Sequence, residues 1–113
     1  QIVILARCIV QDSPVMLMDE PDSALDFLNR HMVLSKIREL IKEENKAGLI
    51  TLHDPNFAMA YCDRLLLLRE GRLVGELDMR RAKADEVKKK LSLIYGDIEL
   101  LQSGDSFLMG KAL

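Results

Sequence analysis

Twelve residues, Val15 to Asp26 (VMLMDEPDSALD), constrain the fold more than any other stretch of this chain. Four apolar side chains run without alternation into two adjacent carboxylates, Asp19 and Glu20, and Pro21 then breaks the run. So short an apolar run, closed by a turn residue, predicts a strand buried on both faces, as in a parallel sheet. A carboxylate at the end of such a strand is costly unless something pairs with it. Ligands of open α/β sheets bind outside the carboxyl ends of the strands. Asp19 and Glu20 therefore stand where a metal ion could satisfy the first and a water the second.

The 113 residues suffice for one domain at most, and 49% apolar with 30% charged residues describes a folding chain, not a disordered one. A net charge of -2 gives no reason to expect nucleic acid as a partner. No apolar run approaches the ~18 residues that suggest a membrane-spanning helix. The opening run Gln1 to Ala6 stops at Arg7, without the basic start or cleavage site of a signal peptide. With no initiator Met, the sequence reads as a piece of a longer protein. Cys8 and Cys62, both in apolar contexts and without metal-type spacing, read as buried structural thiols.

By periodicity alone, residues 1–11 (QIVILARCIVQ) fit either a short buried helix or a strand, closed by the turn residues Asp12-Ser13-Pro14. From Asp26 or Phe27 to about Lys46 the pattern is helical. Leu28, Met32, Ile37, Leu40 and Ile41 recur at three- and four-residue steps, with Leu34 less well placed, and Asp26 is the expected N-cap. The charges of this helix read as a solvated face, and His31 as a surface histidine. Leu49 to Leu52 form a second short strand, ending in His53-Asp54-Pro55, whose last pair starts a short helix from Asn56 to Tyr61. Leu65 to Leu68 and Arg72 to Leu77 form a hairpin about Glu70-Gly71. Beyond Asp78 a basic helix with Val87, Leu91 and Ile94 on one face ends at Gly96. Two strands, Ile98 to Gln102 and Phe107 to Met109, then flank the turn Ser103-Gly104-Asp105.

Taken together, these segments resemble the ATP-binding-cassette (ABC) ATPases. VMLMDEPDSALD resembles their second nucleotide-binding motif (Walker B) and the loop after it. TLHDPNFAMAYCDRLLLLREGRLV resembles the segment that carries their switch histidine, which follows the acidic pair by about thirty residues. QIVILARCIVQDSP looks like the helix and turn that follow the signature loop. The likeness covers residues 1–78 and implies the C-terminal half of a nucleotide-binding domain. The expected fold is α/β, a partial P-loop NTPase-like fold of mostly parallel short strands flanked by helices. Residues 79–113 are expected to form a second unit, a small α+β tail of helix and hairpin. That tail is similar to the tails of importer ATPases for iron chelates, haem or cobalamin.

The resemblance assigns roles to individual residues. Asp19 would hold Mg²⁺ through a coordinated water, and Glu20 would be the general base that orients the attacking water. His53 would sense the γ-phosphate and keep Glu20 and the water in line. Ser23 and Asp26 match the loop that touches the opposing subunit of a head-to-tail dimer, while Asp22 departs from the Thr or Ser usual after the proline. The cofactors implied are ATP and Mg²⁺. The partners implied are a second copy of the ATPase subunit and transmembrane permease subunits, at the inner face of the cell membrane.

The phosphate-cradling loop G-x-x-x-x-G-K-[ST] is absent from the sequence. Its nearest approximation, Gly104 to Gly110-Lys111-Ala112, has five intervening residues and no hydroxyl. The 113-residue chain is therefore expected to be inactive by itself. Two other readings stand beside this one: an ABC-type ATPase without a transport role, and a non-enzymatic module that dimerises through strand edges left exposed.

Overall fold

Asp26 ends the loop and starts the first long helix, and the pieces on either side of it build the sheet. The structure, a computed structural model, describes residues 2–8, by their backbone alone, and residues 15–112 in full. In chain order the elements are β1 (Ile2–Cys8), β2 (Val15–Asp19), α1 (Phe27–Glu43), β3 (Ala47–Leu52), α2 (Pro55–Tyr61), β4 (Arg64–Arg69) and β5 (Arg72–Asp78). They are followed by α3 (Ala84–Tyr95), β6 (Ile98–Ser103) and β7 (Ser106–Lys111). Strands β1 to β5 form one sheet in the order β2-β3-β1-β4-β5, and β6 pairs with β7 in a separate hairpin. The expected turn at Asp12-Ser13-Pro14 lies outside the described residues.

The α/β class is as expected, but the strand directions are mixed. Among the described residues only β2 and β3 pair in parallel, joined by α1 as a βαβ unit. β1 runs antiparallel to both β3 and β4, and β4 runs antiparallel to β5. Residues 2–8 of the segment expected to resemble a helix form a central strand. Ile2, Val3 and Ile4 are β-branched and stiff in a helix, and a ladder on both sides satisfies the strand's backbone groups. Glu70 and Gly71 both take positive φ, 52° and 76°, as a two-residue type I′ turn requires, and this fixes β5 against β4.

The core lies on one side of the sheet. Ile50 and Leu52 of β3, Leu65 and Leu67 of β4 and Leu77 of β5 pack with Leu34 and Ile41 of α1, Phe57 of α2 and Val87, Leu91 and Ile94 of α3. Met16 and Met18 of β2 join this cluster, while Val15 and Leu17 point the other way and are 61% and 74% exposed. The expectation that this strand is buried on both faces is therefore corrected: among the described residues nothing covers its second face. An unalternating apolar run is equally compatible with one covered face and two.

The helix face is corrected as well. Leu34, which fitted the assumed stripe least well, is 2% exposed along with Ile41, whereas Leu28, Met32 and Leu40 are exposed. Gly48 of β3 explains the close approach of α1. A Cβ there would meet the Cδ1 of Ile41, so any larger residue would force the Ile41 side chain to shift. The remainder follows the sequence. Asp54 caps α2 with Pro55 in its first turn, Gly96 ends α3 at φ 74°, and the segment from Gly104 to Lys111 is the turn and second strand of the β6–β7 hairpin.

Candidate functional site

Parallel pairing of β2 with β3 places their carboxyl ends side by side, with Asp19 opposite Thr51. Glu20 follows at φ 46°, a left-handed turn that takes the chain off the sheet. Its N–H donates to the carbonyl of Thr51 (3.1 Å) and to the Thr51 hydroxyl (2.9 Å). That hydroxyl in turn donates to Oδ1 of Asp19 at 2.5 Å. One side chain on the neighbouring strand thus fixes both members of the acidic pair. Thr51 escaped the reading of the sequence, although a hydroxyl near the end of the strand before His53 was a signal that could have found it.

His53 lies one residue past the end of β3, and its Nε2 meets Oε1 of Glu20 in close contact. One bond reaches the histidine backbone and another starts the helix after it. Asp54 accepts the N–H of Asn56 at 2.8 Å and so begins α2 immediately after it. From α3, the hydroxyl of Tyr95 donates to the His53 carbonyl at 3.5 Å. Burial, with the nearby charge of Asp54 adding to it, pushes the Tyr95 phenol up to about 12 from 10.0.

The loop after Glu20 folds as successive turns, with Ser23 N–H donating to the Glu20 carbonyl (3.0 Å) and Ala24 at φ 67°. Asp22 is the buried charged residue among the described residues, and its carboxylate lies 4.0 Å from Nε of Arg30. The departure at Asp22 therefore has a structural use: it ties the loop to α1. Glu20, Ser23 and His53 share a cleft of about 100 Å³ with Asp22, Arg30 and Asp54. Asp26 stands apart, its Oδ1 accepting the N–H of Asn29 at 2.8 Å as the N-cap of α1.

His31 is not the surface residue expected. It is half-buried, with Nδ1 2.5 Å from the Tyr61 hydroxyl and its ring against Phe27 (4.6 Å) and Phe57 (4.5 Å). Helical spacing of Phe27, His31 and Leu34 puts it on the core-facing side. Cys62 is buried, as expected of it.

The residues at the sheet end suit one kind of metal. The described residues hold no group of three or more His, Cys, Asp or Glu side chains arranged to cage an ion. Asp19 is exposed, with Oδ1 engaged by the Thr51 hydroxyl. A magnesium ion that brings waters and phosphates and takes one or two carboxylates from protein fits such a donor set.

No protein-family model matches the chain. Among curated proteins it is 38% identical over 97 residues to the hemin import ATP-binding protein HmuV of Vibrio parahaemolyticus, a match covering 81% of this chain and 36% of that protein. It is 34% identical over 101 residues to the phosphonates import ATP-binding protein PhnC 3 of Nostoc sp., covering 89% of this chain and 37% of that one. The cobalamin import ATP-binding protein BtuD of Halobacterium salinarum is 38% identical over 73 residues, covering 65% and 18%. A solved inward-facing metal-chelate type ABC transporter aligns with a TM-score of 0.62 at 27% identity, over 85% of this chain and 38% of that one. The chain thus spans about a third of the length of the relatives it matches first.

Proposed function

Because the relatives of this chain are ABC transporter ATP-binding proteins, we propose that it supplies the hydrolytic carboxylates and switch histidine of such an ATPase. The observation that carries the reading is the meeting of Glu20 and His53 across the ends of two parallel strands, with Asp19 held beside them by Thr51. In this mechanism Glu20 orients the attacking water and takes its proton, and His53 Nε2 holds the Glu20 carboxylate in place. Asp19 serves as the metal-side carboxylate, kept in one rotamer by the Thr51 hydroxyl. Bound Mg²⁺ supplies neutralisation of the charge on the phosphates. Ser23 presents the loop toward a second copy of the subunit, and Asp26 sets that loop's exit by capping α1.

Haem and cobalamin importers among the relatives support import of a chelate or cofactor as the coupled task. The partners are then a second ATPase subunit and transmembrane permease subunits, with the protein at the inner membrane face. Residues 1–78 are the catalytic half-domain in this reading and residues 79–113 its appended tail. The chain lacks a phosphate-cradling loop, so by itself it neither binds ATP tightly nor hydrolyses it.

The test is steady-state ATPase activity of two proteins, this chain alone and the longer polypeptide that includes it. Glu20→Gln in the longer polypeptide is expected to lower kcat by ~10²–10⁴ with little change in KM for ATP. An unchanged kcat would remove Glu20 from the reaction, and activity of the 113-residue chain above background would overturn its predicted inactivity. The exposed side chains of Val15 and Leu17 favour a second reading, a scaffold that pairs with another copy without catalysis. Loss of ATPase activity on Glu20→Gln would decide against that reading.

A further inference from the structure

Residues 53–56 carry the chain from β3 into α2, and the tail of the chain reaches this short segment at both of its ends. β3 ends at Leu52, and the α2 ladder starts with the Asp54 carbonyl, which accepts the Ala58 N–H at 3.1 Å. The His53 carbonyl lies between these two ladders, and the Tyr95 hydroxyl of α3 donates to it at 3.5 Å. At the other end, the Asn56 side chain accepts the Met109 N–H (2.6 Å) and donates to the Met109 carbonyl (3.2 Å). One amide thus takes both backbone groups of a β7 residue.

The sequence of the tail places both contacts. Tyr95 is the last residue of α3, one helical turn beyond the fully buried Leu91, and it stands half-buried at the margin of the core face. Gly96, at φ 74°, turns the chain into β6, and β7 returns with Met109. Val87, Leu91, Ile94 and Phe107 of the tail share one core with Leu52 and Phe57, which flank the histidine segment. The His53 side chain is 51% exposed, so packing does not by itself hold its ring against Glu20. A peptide unit is planar, so a bond to the His53 carbonyl fixes the plane that follows this residue and with it the ψ of His53. Burial pushes the Tyr95 phenol up to about 12, which keeps its hydroxyl a donor at neutral pH and well above it.

We propose that α3 and the β6–β7 hairpin position the switch histidine, with Tyr95 as a positioning residue for hydrolysis that acts through His53 and touches no reacting group itself. The Asn56–Met109 pair keeps the far end of the same segment in place. The proposal rests on the reading of Glu20 and His53 as the hydrolytic pair, and it gives the tail a task in that reaction. A displacement of α3 withdraws the Tyr95 hydroxyl and loosens His53 from Glu20. Asp19, held by Thr51 on the neighbouring strand, keeps its place.

The experiment is a double-mutant cycle in the longer polypeptide, read as kcat and KM for ATP. Tyr95→Phe keeps the half-buried ring and removes only the hydroxyl. It is expected to lower kcat about fivefold with KM unchanged, the size of effect that one lost hydrogen bond implies. In a His53→Ala background the same change is expected to have no further effect. An unchanged kcat, or an equal loss in both backgrounds, would overturn the proposal. A second measurement follows the ring nitrogen signals of His53 in the 113-residue chain. Glu20→Gln should shift these signals, and should shift them less when Tyr95→Phe is also present; equal shifts would count against positioning by Tyr95. Failure of the hydrolytic reading shows separately, as an unchanged kcat on His53→Ala alone. The ring signals then still decide whether Tyr95 places the histidine.

Discussion

At the scale of single residues the site depends on groups that look incidental in the sequence. Tyr95, far along the chain, donates to the carbonyl of His53, and its phenol is pushed up to about 12 by burial and by Asp54. In the unfolded chain the same phenol ionises near 10, so the folded state resists its ionisation. Its contribution to stability is complete below about pH 10 and is lost as the pH rises toward about 12. Ultraviolet titration of the native chain should show a tyrosine step near 12 that is absent from Tyr95→Phe, and an unaltered profile in that variant would refute the assignment. Asp26 makes a second residue-scale prediction. As N-cap of α1 it should cost ~1 kcal/mol when replaced by Ala, measured by urea unfolding, and much less when replaced by Asn, which caps as well. The cap was legible because capping is local. The Thr51 clasp was not, because it joins residues thirty-two positions apart.

Among the elements, α1 shows how periodicity can indicate a helix and still misplace its buried face. The helix carries two apolar stripes, and only packing selects the one through Leu34 and Ile41. Leu34→Ala should therefore destabilise by ~2–5 kcal/mol, while Leu28→Ala should stay within ~0.5 kcal/mol. Equal losses in thermal or urea unfolding would return the core to the face first expected. Gly48 belongs to the same contact, since it is the residue that admits Ile41. The hairpins β4–β5 and β6–β7 needed no such arbitration, because Gly71 and Gly104 take the positive φ their turns require. The direction of β1 is different in kind. It depends on which strand edges are open to it, and those belong to β3 and β4, far along the chain.

For the whole molecule the consequence is a sheet with its core on one side. Val15 and Leu17 are exposed on the other side, on a strand at the end of the sheet order. A bare apolar face beside an unpaired strand edge favours association. Sedimentation velocity should show this chain forming dimers or larger species as concentration rises, and Leu17→Lys should shift it toward monomer. A monomer at every concentration would mean that this face does not drive self-association. The sequence by itself determined the features that short-range chemistry controls: the acidic pair ending a strand, the capped helices, the histidine after the second parallel strand, and both tight turns. Each depends on residues within a few positions of one another. Tertiary structure alone decided the place of β1, the buried face of α1, the half-burial of His31 and the meeting of Glu20 with His53 beside Thr51. Those contacts join residues far apart in the chain, and which of them form depends on the packing of the whole sheet.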